Sequence, residues 1–486
     1  MSAPPSKYGE SFSEWFSWIL SEAEIYDYGR YPVKGVGIWL PYGFQIRRRV
    51  IELIRKLLDE RGHEEILLPM LIPETLFRKE SEHVRGFEGE VFWVTRAGLN
   101  ELDIKLVLRP TSETALSYME SLWIKSYKQL PKKFYQIVSI FRYETKMTKP
   151  MIRVREVTTF KEAHTAHETF EDAERQVLEA IEIYRKFFDE LGIPYIISRR
   201  PQWDKFFGAV YTIAFDTLLP DGRTLQIGTV HNLGQAFSSV FEIKFQRRDE
   251  TIDVVWQTSY GISERVIATI IAYHSDERGL ILPPNIAPIQ VVIVPIPGKS
   301  ERDAELIKSL AHQVLELLTR EGIRAKLDDR EDMRPAEKFY EWERKGVPLR
   351  IEIGPREAKN NAVTIFRRDT MSRESVDVDR CTARVKELLS EIASSLKERA
   401  WRWFREHIGF FERLEDAIDY VKRGGIAEVP WCGDDNCAQR IVELFEGIHV
   451  LGTPLPVIER QRSVEGKKCV LCQRDAVAIL RIAKRY

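Results

Sequence analysis

Residues 135–160 read YQIVSIFRYETKMTKPMIRVREVTTF. Two runs rich in apolar and β-branched residues, 135–142 and 154–160, flank the polar turn ETKMTKPM, a pattern that predicts an antiparallel hairpin. Upstream, Val50, Ile51, Ile54, Leu57 and Leu58 recur at helical spacing within 41–62 and Gly62 stops them, so a core-facing helix is expected there. A strand over 66–71 should follow it. Downstream, Phe170, Ala173, Val177, Ile181, Tyr184 and Phe188 repeat the helical face over 169–191, closed by Gly192 and Pro194. Further strands are expected at 210–217, 225–229, 238–245 and 251–257, with Pro220, Asp221 and Gly222 supplying turn chemistry. The first ~280 residues thus predict helices packed on an antiparallel sheet.

Beyond this unit the pattern changes. LPPNIAP, 282–288, reads as a stiff linker and marks a boundary. Strands and helices then alternate: strand 289–295, helix 301–321, strand 323–328, helix 335–345, strands 348–353 and 361–367. This order predicts an α/β domain with a mostly parallel sheet. A charged helix over about 381–406 leads to a cysteine-bearing segment. At 486 residues the chain exceeds what one core serves, and three units are expected: 1–284, 285–382 and 383–486. Lys plus Arg number 73 against 74 Asp plus Glu, which excludes a general polyelectrolyte attraction and leaves any nucleic-acid contact to local patches. Lys132 with Lys133, Arg344 with Lys345, and Arg367 with Arg368 are such clusters. The start MSAPPSKYGE is polar, and stretches such as 291–297 are too short to span a bilayer, so a soluble, cytoplasmic protein with no membrane partner is expected.

Three constellations could carry chemistry. Arg142, on a rigid strand beside a cationic loop, offers a fork to a phosphate, and Phe160 offers a ring face to a base; an Arg–Glu pair across the hairpin is the plainer alternative. In SYGISERVIATIIAYH, 259–274, Gly261 gives a tight entry, Ser263 can cap, and Arg265 falls in the first turn of an apolar helix. The helix dipole already places positive charge at that end, so Arg265 needs an anion, either a phosphate or an acid such as Glu264. In RPTSET, 109–114, Thr111 and Glu113 could share one side of an extended segment and hold an amine, or form an ordinary capping box. Separately, Cys432-x4-Cys437 and Cys469-x2-Cys472 supply four thiolates for a tetrahedral structural zinc, with buried free thiols as the alternative. Cys381 reads as a packed free thiol.

The order GVGIWLPYGFQIRRRV to LLPML, then FRYE through Phe160, then GISERV resembles the three signature motifs of class II aminoacyl-tRNA synthetases. RPTSET, FKEAHTAHETFEDAE, LQIGTVHNLGQAFSSVFEI, HSDERGLILPPNIAP, the long block ending in LRIEIGP, and FRRDT narrow the resemblance to the prolyl-tRNA synthetases, over nearly the whole chain. The spacing between the second and third motifs leaves no room for a large editing insertion, and the C-terminal extension favours the archaeal and eukaryotic type.

The resemblance implies an α+β protein: a class II antiparallel-sheet catalytic domain, an α/β anticodon-binding domain and a small zinc-type α+β domain. It implies proline–tRNA ligation with ATP and Mg2+, tRNA(Pro) as partner, and a homodimer built through the segment around 35–73. It also implies that Arg142 holds the α-phosphate of ATP and Arg265 the distal phosphates, as the catalytic pair. Glu144, Arg153 and Val154 would surround the adenine, Phe160 would stack on it, and Gln226, Thr229 and Ser263 would complete the nucleotide pocket. Thr111 and Glu113 would engage proline's amine and Arg142 its carboxylate, with Glu162, His164 and His231 lining or supporting the ring pocket. Taken alone, His231 would read as a structural histidine. Glu343 and Arg350 would read the paired guanines of the anticodon, unless they form a helix-to-strand salt bridge. Tyr486 would bring a carboxylate toward the active site. A threonyl, histidyl or glycyl sibling, or a non-catalytic RNA-binding relative, are the rival functions.

Overall fold

The hairpin forms between Lys132–Phe141 and Glu156–His167, with Val138 opposite Phe160 and Tyr135 opposite Ala163. It was obtained in a computed structural model that describes residues 5–79, 89–455, 458 and 462–486; the first four residues of the polar start lie outside it. The second strand begins two residues late, because 149–153 close a turn in which the Lys149 N–H donates to Arg153 O at 2.8 Å and Met151 has φ 57°. It also runs on to His167, since 161–167 pair with strands on both sides and are buried on both faces. A strand so enclosed loses the alternation that marks a half-buried one.

Six strands form the antiparallel core of the sheet, in the order 196–199, 211–218, 223–234, 256–263, 156–167, 132–141. Helix Phe170–Glu190 buries Ala173, and places Val177, Ile181, Tyr184 and Phe188 in the core cluster shared with Arg265–Tyr273, Pro41–Asp59 and Phe12–Glu22. Its start is set by Thr169, whose hydroxyl accepts the Asp172 N–H at 3.1 Å.

Several expected strands differ. In the 66–71 region, Glu64–Glu65 pairs with the main sheet while Leu71–Pro73 joins a separate three-stranded sheet with 100–108 and 92–97. Between them Ile66 N–H still donates to Tyr135 O and Met70 O accepts the Arg109 N–H, but at Leu68 side chains replace the ladder: its N–H donates to Gln136 Oε1 at 2.9 Å, and the Arg109 guanidinium donates to its carbonyl at 2.8 Å. The 238–245 stretch is a short helix, Ala236–Val240, reversed at Glu242 (φ 54°) into strand Lys244–Gln246. The 251–257 stretch divides between Ile252–Val254 and Trp256–Ser263. The 282–288 segment is packed rather than solvated: Leu282, Ile286 and Ala287 are buried, and Arg324 donates to the carbonyls of Pro284, Asn285 and Ala287.

The next sheet has the order 325–327, 291–295, 349–353, 362–367, 373–377. Its first three strands are parallel and the last two antiparallel, so the sheet is mixed rather than mostly parallel. The polar strand Arg373–Asp377 shows no apolar alternation and was not expected. Helix Val378–Glu406 connects to strands 408–410, 426–431, 449–454 and 478–485, which merge with the catalytic sheet where Thr453 and Pro454 pair with Arg199 and Ser198. Gly452 (φ 107°) permits this crossing, since a Cβ there would lie 2.0 Å from Arg199 O.

Candidate active site

A cleft of about 350 Å3 opens over the central strands, within the usual range for small-molecule sites. It is lined by Arg142, Glu144, Arg153, Val154, Phe160, Gln226, Thr229, Ser263 and Arg265, and by Thr111, Glu113, Glu162 and His231. Of the expected ATP and proline residues, His164 alone lies behind the wall rather than on it. Cavities of about 490 and 500 Å3 occur elsewhere, but the convergence of arginines distinguishes the smaller cleft.

Arg142 leaves the end of the first hairpin strand. Its Nε donates to Pro110 O at 3.1 Å, and its guanidinium lies 5.8 Å from the Phe160 ring centre. Burial lowers its pKa, while Glu113, Glu90, Glu162 and Glu144 pull the other way; the group remains a cation. Arg265 opens helix Arg265–Tyr273, with Nε donating to Ile152 O at 2.8 Å and Nη1 to Gln226 O at 3.4 Å. Burial, then Arg142, Arg485 and Arg153, bring its pKa down to about 10. The acid alternative for Arg265 is not what forms. Glu264 turns to the hairpin, accepting from Thr158 N–H (3.0 Å), Thr158 Oγ1 (2.7 Å) and Thr159 N–H (3.2 Å). Ser263 Oγ accepts the Arg265 N–H at 3.3 Å without capping further into the helix. Gly261 is mid-strand rather than a tight entry, and a Cβ there would come 3.3 Å from the Phe160 ring. Its absent side chain leaves the ring flank open.

At the other end, Thr111 donates its hydroxyl to Glu113, and Ser259 Oγ donates to Glu113 Oε1 at 2.8 Å. Glu113 begins helix Glu113–Trp123, so the pair sits at a helix start rather than on an extended segment. The capping-box alternative also fails: Ser112 makes no side-chain cap, its hydroxyl donating instead to Glu162 at 2.5 Å. Glu162 further accepts from Ser112 N–H (3.1 Å) and Gln136 Nε2 (2.7 Å). Burial opposes its ionisation, but His164, Ser112 and Gln136 outweigh burial and hold its pKa below the ordinary carboxylate range. Burial likewise opposes charge on His164, yet Glu162, with Glu113 and Glu120, raises its pKa. His231 behaves oppositely. Buried, with Nδ1 at 2.8 Å from Thr212 Oγ1 and its ring 4.7 Å from Phe206, it falls to about 4 and is neutral at pH 7. The cleft therefore offers cations at one end and a carboxylate beside a hydroxyl at the other.

Phe206, Ser259, Glu90 and Arg485 line the cleft without having been singled out from sequence. Phe206 lies in RRPQWDKFF, which carries no pattern of its own. Tyr486 does not line the cleft among the described residues; its hydroxyl donates to Asp221 and its ring lies under Lys149.

In the second domain, Glu343 and Arg350 are buried and paired at 2.9 Å, the salt-bridge alternative. Arg350 also donates to Glu352 and is sandwiched between Phe339 and Phe366, its guanidinium 3.8 and 4.1 Å from the ring centres. Most of the basic clusters are likewise occupied: Lys133 with Glu179, Arg344 with Glu22, Lys345 with Glu24, Arg367 with Asp369 and Arg368 with Asp276. They bind the fold together more than they face solvent. In the third domain the four Sγ atoms of Cys432, Cys437, Cys469 and Cys472 lie within 4.8 Å of one another, and Cys381 is buried apart from them. Zinc–sulfur bonds of about 2.3 Å in a tetrahedron place sulfurs about 3.8 Å apart, so the donor set and its spacing fit that ion. Arg474 donates to the sulfurs of Cys472 (3.3 Å) and Cys432 (3.4 Å); at Cys472 this brings the thiol pKa down to about 6, whereas burial raises that of Cys432.

An antiparallel sheet carrying one arginine on a hairpin and another at the head of a following helix, both over one cleft, defines a class II aminoacyl-tRNA synthetase core. Family models agree: the class II synthetase core domain (G, H, P, S and T) matches 92–274, the anticodon binding domain 290–388, and the prolyl-tRNA synthetase C-terminal domain 414–486. The chain is 59% identical to the proline–tRNA ligase of Aeropyrum pernix and 58% to that of Sulfurisphaera tokodaii, in each case over the whole of both chains. It is also similar to a solved structure of Giardia lamblia prolyl-tRNA synthetase in complex with prolyl-adenylate, at 35% identity and a TM-score of 0.95, covering both chains fully. The chain belongs to the proline–tRNA ligase family.

Proposed function

We propose that the chain activates proline with ATP and transfers it to the 3′ end of tRNA(Pro). The observation that carries this reading is the convergence of Arg142 and Arg265, distant in sequence, on one cleft that also holds Thr111 and Glu113. A carboxylate oxygen of proline attacks the α-phosphorus of ATP, forming the mixed anhydride as the bond to pyrophosphate breaks. The terminal adenosine hydroxyl of tRNA then attacks the activated carbonyl and AMP leaves. The first step needs no protein nucleophile or base, because the attacking carboxylate is already ionised. Arg142 orients that carboxylate and the α-phosphate, and Arg265 the distal phosphates, so charge gathering on phosphate oxygens meets fixed cations. Glu113, oriented by Thr111 and Ser259, receives the secondary ammonium of proline. Neutral His231, with Phe206 against it, walls the ring pocket without adding charge.

Mg2+ is expected with the triphosphate, where it would supply charge neutralisation, and Glu90 and Glu144 are cleft carboxylates that would help to hold it. A structural zinc at the four cysteines would have no open position and would stabilise the third domain. Arg350, pre-oriented between two rings, and Glu343 are assigned to guanine reading, with base edges replacing part of their mutual pairing. Domain limits of 1–284, 285–382 and 383–486 accompany this reading. A homodimer through 35–73 is supported by exposed Ile38, Phe44, Leu67, Met70 and Leu71. A cytoplasmic location belongs to the same reading; among the described residues no helix is long and apolar enough to cross a membrane. ATP–pyrophosphate exchange with each of the twenty amino acids tests the assignment: strongest stimulation by proline supports it, and strongest stimulation by threonine, histidine or glycine transfers it to a sibling enzyme.

A further inference from the structure

Four guanidinium groups, not two, line the cleft: Arg142, Arg153, Arg265 and Arg485. The first three belong to the hairpin and the following helix of the catalytic domain. Arg485 arrives from the C-terminal domain, on strand Ala478–Arg485, where a parallel pairing sets Lys484 opposite Arg223 and Arg485 opposite Thr224. In this register the side chain lines the same cleft as Gln226 and Arg265 and lies close enough to Arg265 to repel it. Its Nη1 donates to Asp204 Oδ2 at 2.6 Å, and the side chain is 26% exposed. Asp204 also faces Arg200, with Nε at 3.7 Å, so one carboxylate is shared between two guanidiniums. Arg485 and Arg265 are close enough to repel, and Arg153 and Arg142 add to that repulsion. Holding like charges together in a partly desolvated cleft is unfavourable until an anion of several charges enters. A triphosphate is such an anion.

We infer that Arg485 is a further ATP-binding residue, a second cation for the distal phosphates beside Arg265, delivered into the adenylation site by the C-terminal domain. This rests on reading the cleft as the ATP site. Asp204 holds the guanidinium in place while the cleft is empty. The C-terminal sheet thus supplies part of the site, in addition to extending the catalytic sheet at Thr453 and Pro454.

The test uses the full chain in proline-dependent ATP–pyrophosphate exchange. Wild-type exchange is measured first, and its absence would overturn the ATP-site reading itself, independently of any variant. In Arg485→Ala the KM for ATP and that for pyrophosphate should each rise about 10- to 100-fold, the loss of one charge-assisted contact, while the KM for proline stays within twofold. Arg485→Lys should recover part of the loss. Asp204→Asn breaks the ion pair but keeps the guanidinium, and should change both values far less than Arg485→Ala. Should Arg485→Ala fail to fold, Arg485→Gln, which can still donate to Asp204, carries the same expectation. ATP and pyrophosphate KM values within twofold of wild type would overturn the inference. So would equal effects of Asp204→Asn and Arg485→Ala, or a rise confined to proline, each of which would mark a tether for the 202–206 segment instead.

Discussion

Glu264→Gln perturbs a buried acid that joins the hairpin to the arginine-bearing helix. Glu264 is fully buried, and desolvation, against the pull of Thr158, Thr159 and Arg47, raises its pKa from 4.5 to about 7. A carboxyl whose folded pKa exceeds its unfolded one binds more protons folded than unfolded between the two values. Stability is therefore greatest below the unfolded value and falls as pH rises through about 7. The shift corresponds to about 3 kcal/mol lost between pH 4.5 and 7 and not regained above it. Glutamine mimics the protonated acid, its carbonyl accepting the Thr158 and Thr159 groups and its amide standing at Oε1, which has no partner in the wild type. Urea midpoints by tryptophan fluorescence should therefore be close for variant and wild type at pH 5 and diverge in the variant's favour at pH 8. A difference of the same size at both pH values, or a variant weaker at pH 8 than at pH 5 relative to wild type, would refute the reasoning.

Arg142→Ala should lower exchange at saturating substrates about 100- to 1,000-fold with the far-ultraviolet spectrum unchanged, and Arg142→Lys should recover little because the fork is lost. Glu113→Gln should raise the KM for proline at least about tenfold while leaving that for ATP within twofold, measured in the same assay. Because His231 is already neutral above about pH 4, the proline KM should show no inflection from that group between pH 6 and 9; an inflection abolished by His231→Asn would contradict its assignment. Metal analysis should find one zinc per chain, and chelation should lower the thermal midpoint, whereas Cys381→Ser should leave zinc content unchanged.

Most of the site was legible through the resemblance of FRYE, GISERV and RPTSET to family motifs, and Arg265 also because it breaks a local rule. Arg265 at a helix head contradicts the dipole preference, and the structure resolves the contradiction by turning Glu264 away and leaving the cation facing a cleft. Helix Phe170–Glu190 was equally plain, because its apolar stripe and Thr169 cap agree. What escaped detection was set by partners far along the chain. The 66–71 segment reads as a strand, but Gln136 and Arg109 side chains take the backbone groups of Leu68. The Glu343–Arg350 ion pair was one of the two readings the sequence allowed, but the Phe339 and Phe366 rings that enclose Arg350 had no signal there. Arg485 carries no local signal at all, and only the pairing of its strand with Arg223–Thr224 brings it to the nucleotide end.

The central claim is tested most directly by a crystal structure of the chain with proline and an ATP analogue whose α–β bridge is a methylene group. The account predicts the α-phosphate on Arg142, the distal phosphates on Arg265, the adenine against Phe160 and the proline amine at Glu113. Nucleotide bound away from these two arginines, or density with the guanidiniums turned from it, would contradict it.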